Sequence, residues 1–169
     1  NVTEASIWDA ELSLAEVQEI YNSGAPTNLA THSAHSDLVS WWRLGDGAHR
    51  QDTAKLGEKA LDYGTSDFVE LSHHSQLDQD HDDEWSFSTW FKSGASGYRG
   101  LYIKREGTGG YKGNAVFLAD GIVQGYVVSN WALDPAITDA SIFKVGNTVL
   151  VDDNWHHLVM TYDGSGAAA

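Results

Sequence analysis

Between residues 38 and 163 the chain is a succession of short runs rich in Val, Ile, Phe, Tyr and Trp, each closed by turn residues. The clearest is WSFSTWFK (residues 85–92), in which large side chains alternate with small ones. A period of two belongs to a pleated strand; wound as a helix, the same residues would scatter their apolar groups around the axis. Further runs are LVSWWRL (38–44), FVEL (68–71), GLYIKR (100–105), AVFLA (115–119), IVQGYVVS (122–129), SIFKV (141–145), TVLV (148–151) and NWHHLVMTYDGSG (154–166). Glycine-bearing turns join 100–105, 115–119 and 122–129 into a meander, and Gly146 and Asn147 separate two short strands. Many short strands at regular spacing predict an all-β fold of two packed antiparallel sheets.

The N-terminal segment departs from this pattern. EASIW (4–8) reads as a short strand, and SLAEVQEIYNSG (13–24) reads as a helix. Ser13 and Glu16 form a capping box, with Leu12 and Val17 placed for a hydrophobic staple. Val17, Ile20 and Tyr21 recur at helical spacing as one apolar stripe, and Gly24 supplies the left-handed stop before Pro26. Residues 26–37 have the composition of a linker. The stripe predicts that residues 1–24 dock on a sandwich, in cis or across a homo-oligomer, since an isolated short helix is marginal in water.

Composition excludes several functions. A formal net charge of −14 repels phosphate backbones, so general nucleic-acid binding is not expected. The absence of cysteine removes disulfides, thiol catalysis and Cys-ligated zinc. No run approaches the roughly 20 apolar residues of a membrane-spanning helix, so membrane insertion is not expected either. A length of 169 residues suits a single domain with a substantial core.

Several motifs together resemble one family. DDNWHHLVMTYDGSG is similar to the Trp-His-His strand of laminin-G-like domains, which belong to the concanavalin-A-like lectin and glucanase superfamily. DFVELSHHSQLD followed by WSFSTWFKSG resembles the early strands of that family, LVSWWRLGDG its opening strand, and ASIWDAELSLAEVQEIYNSG its final strand and closing helix. The resemblance covers residues 1–29 and 38–166 and implies a jelly-roll sandwich with one short N-terminal helix. The order differs from the family's, because the closing element comes first. Residues 1–25 then read as a closing strand and helix, 26–37 as a linker, and 38–169 as the main body of a sandwich. Two explanations stand: a cut from a tandem array, or a circular permutant that folds as one unit.

The resemblance implies binding of glycans or protein ligands, often with calcium, in extracellular or virion-surface proteins. For calcium, Asp46 and Asp52 in the loop GDGAHRQD are the metal candidates, because Gly45 and Gly47 let carbonyl oxygens turn inward. Glu4 joins them by resemblance, at a position where the family's last strand often carries an acid beside this loop. Sugars stack on exposed aromatic faces, and Trp131 in the loop SNWALD is the first ligand-binding candidate, with Tyr98 and Tyr111 in glycine-rich loops. Trp41, Trp42, Trp85, Trp90 and Trp155 fall in strands and are expected in the core.

Catalysis is not expected. Glycoside hydrolases of this sandwich type set their acids at alternate positions of one strand, and no strand here carries that pattern. Neither a Gly-x-Ser-x-Gly elbow nor a phosphate-binding loop occurs. The histidine pairs 32/35, 73/74 and 156/157 lack the spacing of a zinc site; adjacent histidines on a strand point to opposite faces. The expected function is a non-catalytic module for carbohydrate recognition. The alternatives are a structural or assembly module, as in a phage tail or surface array, and a remnant glycoside hydrolase.

Overall fold

The computed structural model describes residues 2–43, 75–79, 82–105, 113–128 and 141–165. Its strands are β1 (Val2–Trp8), β2 (Leu38–Trp42), β3 (Glu84–Lys92), β4 (Tyr98–Arg105), β5 (Gly113–Ala119), β6 (Ile122–Val128), β7 (Ser141–Val149) and β8 (Trp155–Asp163), and its α-helix is α1 (Leu14–Tyr21). They form two four-stranded antiparallel sheets, ordered β2-β1-β3-β8 and β4-β5-β6-β7. The second is a plain meander. The first brings the N-terminal strand between β2 and β3, inside the sheet of its own chain.

The two sheets face each other through side chains of one parity. Ala5 and Ile7 from β1, Trp85 and Phe87 from β3 and Tyr162 from β8 meet Val116 and Val127 from the opposite sheet. Gly125 makes room for Met160 across this interface; a Cβ there would overlap the methionine sulfur. The chain turns from β5 to β6 through Asp120 and Gly121, both at positive φ (50° and 85°), the two-residue hairpin geometry that suits an Asp-Gly pair.

A second apolar layer covers the outer face of the first sheet. Trp8 turns away from the inter-sheet core and packs with Leu12, Ile20, Leu29 and Ala34, while Val17, Leu38 and Trp41 close around them. Residues 3 to 8 are therefore all buried, as expected of an inner strand covered on both faces. Residues 25–37 contribute to this cover: Leu29 and Ala34 are buried, and His32 packs on Trp8 with ring centroids 4.8 Å apart. His32 Nδ1 accepts the Ala34 N–H (3.1 Å), and its Nε2 lies 3.0 Å from the Glu16 carbonyl. Ser86 stitches the entry to α1 onto β3, accepting the Leu12 N–H and donating to the Ala10 carbonyl. A small side chain at Ser86 permits this close approach, and Ser88 in turn meets His157 on the same face, so both small positions of β3 are in use.

The capping box forms as expected. Ser13 accepts the Glu16 N–H, and the Glu16 carboxylate accepts the Ser13 N–H at 2.8 Å. The Ser13 hydroxyl, which donates to the Glu16 carboxylate at 2.6 Å, and then the Ser13 N–H hold the Glu16 carboxyl below its ordinary range. The helix ends earlier than Gly24, because Asn22 takes the left-handed cap conformation (φ 42°) that asparagine tolerates well. A second difference lies at Gly146 and Asn147. Instead of a turn between two strands, β7 runs unbroken through them, and a bulge against β6 absorbs the extra residues between the pairs Gln124–Val145 and Ile122–Val149.

Candidate functional site

The parity of β3 decides where an open site forms. Trp85 and Phe87 point into the core; Ser86 and Ser88 point to the outer face. Trp90 has the parity of the serines, so it too lies on the outer face, under the C-terminal end of α1. Its cross-strand partners are Thr3 on β1 and His157 on β8. Trp90 and His157 stack with centroids 4.7 Å apart and planes 28° from parallel. Tyr21, the last residue of α1, stacks over both, at 5.8 Å and 18° from Trp90 and at 5.9 Å and 26° from His157.

This stack borders a groove of about 490 Å³ between α1 and the start of β8, lined by Val17, Gln18, Tyr21, Gly24, Trp90, Trp155, His156 and His157. The residues differ in role. Trp90 is only 3% exposed and serves as the base of the stack, whereas Tyr21 remains 47% exposed. Trp155, half-buried, flanks the groove from β8, and Gln18 brings an exposed amide from α1. The His157 imidazole lies 2.9 Å from Ser88 Oγ, and burial pushes its pKa down to about 4, so the ring is neutral at neutral pH. His156 points the other way, as the pleat requires: it packs on Phe91 and its Nε2 lies 2.7 Å from Asp152 Oδ1. Hydrogen bonds from His156 and then Asn154 hold the Asp152 carboxyl well below the usual range.

Of the residues singled out from sequence, Tyr98 and Glu4 are among those described. Tyr98 opens β4 on the second sheet, 73% exposed, and stacks on Phe117 at 5.8 Å, away from the groove. Trp131 and Tyr111 lie outside the described residues, as do Asp46 and Asp52. Glu4 is placed: it is a positive-φ residue (52°) in the irregular stretch between Thr3 and Ser6, and it is 7% exposed. One of its carboxylate oxygens accepts the Trp41 indole N–H at 2.7 Å, and the other lies 3.4 Å from Arg43 Nε. Arg43 also covers the Trp41 ring at 5.2 Å. Through these contacts the carboxylate ties β1 to the end of β2. Among the described residues, no three His, Asp or Glu side chains gather as metal ligands.

Of the strand tryptophans, Trp85 lies between the sheets, Trp42 packs against that core, and Trp41 joins the outer layer. Trp90 and Trp155 are the ones that reach a surface groove. Among the described residues, no helix is long and apolar enough to cross a membrane. No known protein family, curated protein or solved structure matches this chain.

Proposed function

We propose that this chain is a non-catalytic carbohydrate-binding module with a laminin-G-like jelly-roll sandwich, acting in an extracellular or virion-surface protein. The carrying observation is the aromatic groove. It combines an accessible ring (Tyr21) on a rigid base (Trp90, His157), a second tryptophan at its flank (Trp155) and an exposed amide (Gln18). A sugar presents a patch of C–H groups to an aromatic face and hydroxyls to amides, and such sites place a few polar groups within an apolar lining. The two-sheet architecture with its helix-covered face supports the same reading through the resemblance in the Trp-His-His strand and the N-terminal closing element.

In this reading residues 1–24 are the closing element of the sandwich, and they supply one wall of the site. The setting outside the cell rests on the resemblance, and so does calcium. A glycan array probed with the wild-type chain and with Tyr21→Ala, with and without calcium, tests the proposal. Binding of a defined glycan class that is lost in the variant supports it; a wild-type chain that binds nothing on the array overturns it.

An assembly role has one observation in its favour. Tyr98, Ile103, Val145 and Val149 are exposed on β4 and β7 of the second sheet, with 46% to 73% of their surface open. A concentration-dependent oligomer that dissociates on Ile103→Lys or Val149→Lys would favour that reading.

A further inference from the structure

Resting on the carbohydrate reading, we infer that the Tyr21 groove takes an uncharged pyranose, laid flat on the Tyr21 ring, and rejects acidic sugars and organic cations. Charge carries the first part. No Lys, Arg, Asp or Glu is among the described residues that line the groove. An acidic sugar gains its affinity from a cation; the described one beside the groove, Lys92, opposite Trp155 on β3, is engaged by the Asp153 carboxylate at 3.5 Å. Asp152 stands beside His156 at the β8 side, Glu16 and Glu19 stand on α1, and the whole chain carries −14. A uronate, sialate or sulfated sugar would approach this surface against repulsion.

Ring geometry carries the second part. An acidic protein with an aromatic groove invites comparison with a cation–π cage, which surrounds an ammonium with ring faces set at steep angles. Here the rings are nearly parallel: 18° between Tyr21 and Trp90, 26° between Tyr21 and His157, and 28° between Trp90 and His157. The faces of Trp90 and His157 are spent on one another and on Tyr21, which leaves Tyr21 as the flat platform of the stack, with Trp155 at the flank of the groove. A platform matches the flat C–H face of a pyranose, and Gln18, one turn before Tyr21 on α1, places an amide donor and acceptor beside it. The volume of about 490 Å³ lies in the roughly 300–1,000 Å³ range of small-molecule sites.

The experiment titrates the full chain by calorimetry and tryptophan fluorescence. The probes are the methyl glycosides of glucose, galactose and mannose, N-acetylglucosamine, methyl glucuronide, sialic acid and choline. The expected result is saturable binding of at least one uncharged sugar, roughly tenfold or more tighter than any acidic sugar or choline. Tyr21→Phe should retain it and melt near the wild-type temperature, while Tyr21→Ala should weaken it by a similar factor and melt modestly lower through the lost stacking on Trp90 and His157. Equal or tighter binding of glucuronide or sialic acid overturns the inference and leaves the carbohydrate reading standing. Sugar binding that is unchanged in Tyr21→Ala overturns the inference by moving the site. Choline binding without sugar binding, or no binding of any probe, overturns both.

Discussion

Replacing Ile7 by alanine tests whether the N-terminal strand is an integral part of the core. Ile7 is fully buried, stands opposite Phe87 in the β1–β3 register, and packs among Trp85, Val116 and Val127. The truncation removes three carbons and leaves a cavity walled partly by rigid aromatic rings, which collapse poorly. Large-to-small changes at such sites fall in the upper part of the usual range, so the loss should be about 3–4 kcal/mol. For a chain of this length that corresponds to a fall in melting temperature of roughly 6–16 °C. Leu14→Ala serves as the comparison, because Leu14 is 74% exposed on α1 and its loss should stay within about 0.5 kcal/mol. Thermal and urea denaturation followed by tryptophan fluorescence would read both. If Ile7→Ala shifted the midpoint no further than Leu14→Ala, β1 would not belong to the core, and the placement of Val2–Trp8 in the sheet would be wrong.

Other perturbations follow from local geometry. Ser13→Ala removes the cap that holds the Glu16 N–H and should cost about 1 kcal/mol, read by urea denaturation, with a smaller loss for Ser13→Asn. Gly164→Ala should be clearly destabilising, because Gly164 sits at φ 69° and a Cβ there would come within 2.6 Å of the Asp82 carbonyl oxygen; an unchanged melting temperature would refute the tight turn. His157 titrates at about 4 when folded, against 6.5 for a free imidazole, so the unfolded chain binds the extra proton. Its contribution is full above pH 6.5, is lost as the pH falls from there toward 4, and amounts to at most roughly 3 kcal/mol. His157→Gln should flatten the stability profile in that window relative to wild type, and parallel profiles would show that the imidazole is not buried.

The parts of the fold that depend on neighbours along the chain are legible in the amino-acid sequence. The Ser13–Glu16 cap is a local hydrogen-bond pattern, and the large–small alternation of residues 85–92 marks a strand with two unlike faces. Gly24 marks the helix end two residues too late, because Asn22 tolerates the left-handed conformation nearly as well as glycine. Gly146 and Asn147 look like a turn in isolation, but pairing with β6 holds them extended in a bulge. The order β2-β1-β3-β8 is not legible, because pairing between the N-terminal strand and β3 is decided by burial on both faces and not by any local signal.

The groove escapes the sequence for a similar reason. Along the chain Tyr21 is one more member of an apolar stripe, and Trp90 and Trp155 look like core residues. One clue is present: Thr89 interrupts the alternation of β3, which puts Trp90 on the serine face and not with Trp85 and Phe87. Bringing it together with Tyr21 and His157 takes three elements remote in sequence. The loop aromatics draw attention because exposed rings bind sugars; of these Tyr98 is described, 73% exposed on the second sheet with Phe117 as its neighbour.

The most direct test of the account is a nuclear magnetic resonance shift map of the isotope-labelled chain, titrated with the tightest glycan from the array. Saturating shifts are expected in residues 17–24 of α1 and its cap, in the indole signals of Trp90 and Trp155, and in the His157 ring. Shifts centred on Tyr98 and β4, or a spectrum unmoved at saturating glycan, would contradict it.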